Sequence, residues 1–124
     1  MAIGFDLAAA EVAVSLRNEL TDLKVIAVIP FEGMQNRFPA SQRALFNKIA
    51  NEADEVITLN TRYSASVYAL RNNYLVDNSS ACVAYFTGEK GVTAYTIRRA
   101  VKNLAYIINI YNNPQQKLDF CAEK

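Results

Sequence analysis

A chain of 124 residues, 52% of them hydrophobic, is long enough to bury one core of its own and short for two domains. With 13 Lys and Arg against 12 Asp and Glu the formal net charge is +1, so no chain-wide basic field is available for nucleic acid or an anionic membrane. The absence of histidine excludes the Ser-His-Asp and Cys-His mechanisms and the usual zinc and non-haem iron sites together.

Taken in chain order, the first segment carries Leu7, Val12, Leu16 and Leu20 at near-helical spacing, with Glu11, Arg17 and Glu19 between them. This predicts an amphipathic helix from Asp6 to about Leu20. Val25 to Ile29 reads as a buried strand, followed by the polar and aromatic loop Pro30-Phe31-Glu32-Gly33-Met34-Gln35-Asn36-Arg37-Phe38. A second helix is predicted from an N-cap at Ser41 to Ala53, with Leu45, Ile49 and Ala53 inward. The strand Glu55 to Leu59 leads through Asn60-Thr61-Arg62-Tyr63-Ser64 into a helix from about Ala65, with Val67, Leu70, Tyr74 and Leu75 apolar and Asn78-Ser79-Ser80 at its end. A strand from Ala81 to Phe86, a helix from Thr93 to Leu104 with Ile97, Val101 and Leu104 inward, and a strand from Tyr106 to Ile110 complete the regular region. Residues 1–113 thus form a single domain, and from Pro114 the chain is a polar tail with Leu118 and Phe120 as anchors.

Helices and strands alternate with short connections, which predicts an α/β fold with a parallel sheet and helices on both faces. Such a sheet normally begins with a strand, and here the reading begins at the turn after it, so the first, central strand is expected to be missing. Cys82 falls in a strand as a buried free thiol, Cys121 in the tail, and their separation suits neither a metal site nor a disulfide framework. No apolar run approaches the roughly 20 residues needed to span a bilayer, and the N-terminus has no basic region ahead of a long apolar one. A cytosolic protein is expected.

The richest segment for chemistry is Tyr85-Phe86-Thr87-Gly88-Glu89-Lys90-Gly91-Val92-Thr93-Ala94-Tyr95-Thr96. A strand runs into a glycine-bearing turn and out into a helix, whose first N–H groups and positive dipole end suit a phosphate. Thr93 adds a hydroxyl at the same place. Three more segments reach the same rim of an open α/β sheet: Gly4 and Asp6 ahead of the first helix, the loop with Phe31, Glu32 and Arg37, and the loop at Tyr63 ahead of a helix bearing Arg71 and Asn72. Arg71 can grip a phosphate bidentately or pair with Asp77 or Glu55. Asp6 can cap the first helix or accept hydrogen bonds from a ribose. Glu32, behind a buried strand in an aromatic loop able to raise its pKa, is the best remaining carboxylate for catalysis. Tyr63, Tyr68, Tyr74 and Tyr95 can stack a base or pack with their hydroxyls at the surface. Arg98, Arg99 and Lys102 make a basic patch too small for nucleic acid.

These segments resemble the YpsA-like members of the SLOG superfamily, whose Rossmann-like fold is shared with the DNA-processing protein A and the Lonely Guy phosphoribohydrolases. Gly4-Phe5-Asp6 looks like the end of the Ser-Gly-x-Ala-x-Gly-x-Asp signature, with the Ser-Gly pair missing. Val28-Ile29-Pro30-Phe31-Glu32-Gly33 followed by Gln35 and Arg37 is similar to the Pro-Phe-Glu-Gly-Gln loop. Tyr63-Ser64 with Arg71-Asn72-Asn73-Tyr74-Leu75-Val76-Asp77-Asn78-Ser79 resembles the Tyr-Ser and Arg-Asn-x-Tyr-Met-Val-Asp-x-Ser stretch, and Gly91-Val92-Thr93-Ala94-Tyr95-Thr96 the Gly-Gly-Thr-x-x-Thr turn.

The resemblance implies a crevice for a nucleotide-derived small molecule, with its phosphate at Gly88, Gly91 and Thr93 and with Gly4, Asp6, Phe31, Glu32, Arg37, Tyr63, Arg71, Asn72 and Tyr95 around it. It implies no cofactor and no metal. Thr96 falls where the Lonely Guy enzymes carry a catalytic glutamate, and a hydroxyl is no acid or base near neutral pH. Binding without turnover is therefore expected, in a bacterial host cytosol, by a sensor or sequestering protein of which a phage or prophage sponge for a cyclic or ADP-ribose-type signal is one form. The alternatives are a nucleotide N-glycoside hydrolase using Glu32 with Arg71, and a non-enzymatic partner protein in DNA processing or cell division. The missing strand leads us to expect a homo-oligomer.

Overall fold

The strands of this chain are short, and each is fed by or feeds a helix, a connection long enough for parallel pairing. The computed structural model describes residue 2, residues 4–103 and residues 105–111. Leu104, Pro114, Leu118, Phe120 and Cys121 lie outside the described residues. Internal contacts gather into two compact units, Met1–Val67 and Tyr68–Lys124.

In the first unit α1 (Phe5–Glu19) leads to β1 (Ile26–Ile29), a 3-10 turn (Met34–Arg37), α2 (Ala40–Glu52) and β2 (Glu55–Thr58). The strands pair in parallel, from Ile26 opposite Glu55 to Ile29 opposite Thr58. Asp54 ties the lower end together. Its Oδ2 accepts the Val25 N–H at 2.7 Å and an Arg17 Nη1 hydrogen at 3.1 Å, and these bonds, the backbone one foremost, hold its carboxyl below the ordinary value of 3.8. Arg17 lies in the last turn of α1, so that end of the helix sits at the N-terminal ends of the strands. The other end, with Gly4 and Asp6, therefore lies toward the strands' C-terminal ends, where ligands collect in parallel sheets.

Two expectations fail in this unit. In α1, Leu7 and Val14 are buried while Val12, Leu16 and Leu20 are exposed. The inward stripe runs through Leu7, Ala10, Ala13 and Val14, whose small members let the helix approach closely. The second correction is the N-cap of α2, which is Pro39 rather than Ser41, with the Arg43 N–H donating to the Pro39 carbonyl. Proline's fixed φ suits that entry, and its helix face buries Phe46 and Ile49.

In the second unit α3 (Val67–Asp77), which begins on the boundary residue, leads to β3 (Ala81–Ala84), α4 (Val92–Lys102) and β4 (Tyr106–Asn109). The parallel register runs from Ala81 opposite Tyr106 to Ala84 opposite Asn109. Ala94, Ile97, Ala100 and Val101 recur at helical spacing and turn α4 inward. Ile97, Ala100 and Val101 join Val76, Ala84, Ala105 and Ile107 in one core, with Cys82 and Phe86 packed against it. Burial pushes the Cys82 thiol up from 9.0. On α3, Leu70 and Leu75 are exposed, while Val67, Arg71 and Val76 are buried.

At the C-terminal ends of α3 and α4, Asp77 accepts two hydrogen bonds from Arg99, at 2.9 and 2.8 Å, and one from Asn103 at 3.1 Å. The guanidinium beside it holds the Asp77 carboxyl below 3.8. Asp77 is thus the partner of Arg99 and not of Arg71.

The fold is α/β and Rossmann-like, but its strands form two two-stranded sheets, β1 with β2 and β3 with β4, instead of one ladder. No helix among the described residues is long and apolar enough to cross a membrane.

Candidate functional site

The rim of the first unit is built by the loops that follow β1 and β2. The Glu32 N–H donates to the Asn60 carbonyl at 3.1 Å, and the Asn60 side-chain amide donates to the Pro30 carbonyl at 2.8 Å. The two loops are thereby locked to each other. Phe31 meets Tyr63 edge to face, with ring centroids 5.6 Å apart, an arrangement favoured by the aromatic quadrupoles. Gly33 makes the turn possible: its φ is +76°, and a Cβ there would stand 3.0 Å from the Asn36 amide nitrogen. Phe38 then packs edge to face on Phe46 of α2, at 5.7 Å, and anchors the far end of the loop. Phe31, Glu32 and Tyr63 are therefore brought together, whereas Arg37 ends the 3-10 turn as an exposed side chain. The Glu32 side chain is itself exposed, rather than enclosed by the aromatic loop.

At the N-terminus of α1 the cap position is Gly4, and Asp6 lies in the first helical turn. Asp6 thus does not cap the helix, although its charge complements the helix dipole there.

The rim of the second unit is the turn from β3 into α4. Gly88 and Gly91 have φ of +93° and +140°, and a Cβ added at either would meet nothing within 4 Å. The cradle is conformationally glycine-dependent and sterically open. Gly91 caps α4 without a side chain, and Thr93 lies exposed in the first turn. Asn109 fixes the base of this turn: its Oδ1 accepts the Phe86 N–H at 3.1 Å and the Tyr111 N–H at 3.1 Å, while its Nδ2 donates to the Phe86 carbonyl at 2.9 Å.

The sequence places Asn60 in a loop and Asn109 in a strand without marking either as a site residue. In each unit an asparagine at or just beyond the second strand's end clamps the backbone leaving the first strand. The signal available was an amide side chain at the C-terminal end of a parallel strand, a place where side chain-to-backbone bonds shape loops.

Arg71 and Asn72 adjoin on α3, where Arg71 Nε donates to Asn72 Oδ1 at 2.8 Å and Arg71 is only 4% exposed. Tyr95 faces along α4 toward Arg99, whose guanidinium pKa is raised by its hydrogen bonds to Asp77 and further by Tyr95. Thr96 donates its hydroxyl to the Val92 carbonyl at 2.9 Å, so that group is spent within the helix. A groove of about 150 Å³ between α1 and α2, lined by Glu11, Ser15, Lys48 and Glu52 among others, includes none of the candidate residues. Among the described residues no three His, Cys, Asp or Glu side chains gather as metal ligands.

Comparison with known proteins matches the YpsA family model, described as the YspA SLOG family, to residues 1–116. The chain belongs to the YspA SLOG family. A UPF0398 protein of Bacillus cereus strain B4264 is 29% identical over 103 residues, covering 81% of this chain and 56% of its own length. A UPF0398 protein of Bacillus thuringiensis strain Al Hakam is 28% identical over 112 residues, covering 89% of this chain and 61% of its own length. This SLOG chain therefore spans little more than half of the curated relatives it matches. The matched residues of the family model include both rims, from Gly4 to the turn at Gly91.

Proposed function

We propose that this SLOG chain binds a nucleotide-derived small molecule without turning it over, as a cytoplasmic sensor or sequestering protein. The observation that carries the reading is the open glycine turn at the head of α4. Its backbone leaves room for a phosphate, the first helical turn presents N–H groups and the positive dipole end, and Thr93 adds a hydroxyl. The engagement of the Thr96 hydroxyl within α4 supports binding over hydrolysis. A phage or prophage sponge for a cyclic or ADP-ribose-type signal is the most specific form of this reading, and it rests on analogy within the superfamily.

Calorimetry against mononucleotides, ADP-ribose and cyclic dinucleotides tests it. At least one should bind, and Thr93→Val, which removes an exposed hydroxyl and little else, should weaken that ligand about tenfold, as loss of one hydrogen bond to a charged group does. No heat with any member of the panel, or an unchanged affinity in Thr93→Val, would contradict the reading.

A further inference from the structure

We draw no further inference here: the strongest candidate, the groove between α1 and α2 lined by Glu11, Ser15, Asn18, Lys48 and Glu52, is walled by exposed side chains of both charge signs and holds no buried polar side-chain atom left without a partner among the described residues, so nothing in it selects a ligand.

Discussion

Asn109 makes three hydrogen bonds across the exit of β3, two of them to Phe86, and truncating it to alanine removes all three while leaving the strand's apolar contacts in place. The bonds to Phe86 are partly buried and the one to Tyr111 is exposed. At about 0.5–1.5 kcal/mol net for each of the first two, and less for the third, the expected loss of stability is about 2–3 kcal/mol. For a chain of this size that lowers the melting temperature by roughly 6–12 °C. Thermal melts followed by circular dichroism read this directly, with the exposed Asn18→Ala as the control. Asn109→Asp keeps the acceptor for the Phe86 and Tyr111 N–H groups but sets a carboxylate against the Phe86 carbonyl, so it should fall no closer to wild type than the alanine variant. The same loss loosens the turn that holds Gly88 and Gly91, so nucleotide affinity should fall with stability. A melting temperature within about 2 °C of wild type would refute the idea that this amide holds the turn.

Arg71→Ala should weaken the best nucleotide ligand by about 1.5–3 kcal/mol, as loss of a charged hydrogen bond does; calorimetry showing equal affinity would remove Arg71 from the site. Adenosine monophosphate incubated with the protein should yield no free adenine by chromatography, and turnover at roughly 1 per second or faster would overturn the binding-only reading. Asp54 and Asp77 titrate below 3.8 in the folded chain, so the unfolded chain binds protons first on acidification. Their contribution should be fully present above that value and lost as pH falls from it through the folded values. With no histidine present, urea midpoints should be flat from about pH 5 to 7, and a titration step inside that range would contradict the assignment.

The order of elements was legible because the strands are runs of branched apolar residues bounded by polar turns, and the helices announce themselves by spacing. The inward face of α1 was not, because Val12, Leu16 and Leu20 make a more hydrophobic line than Ala10 and Ala13, although the alanines permit the closer approach. The 3-10 turn at Met34–Arg37 was equally hidden, since it depends on the left-handed Gly33 and on Phe38 finding Phe46. Of the candidate site, the glycine turn at Gly88 and Gly91 and the loop pair around Phe31 and Tyr63 could be read from residue type alone. The clamps at Asn60 and Asn109 could not, because each acts on a backbone about two dozen or more residues away. Only the pairing register brings them there.

The central claim is that the chain carries a nucleotide-derived ligand, and native mass spectrometry of the protein purified from its host tests that most directly. The expected spectrum shows a nucleotide-sized mass above the 13.8 kDa chain, lost on denaturation and diminished in Thr93→Val. A bare chain mass, with no small molecule released on denaturation and none taken up from a nucleotide panel, would contradict the account.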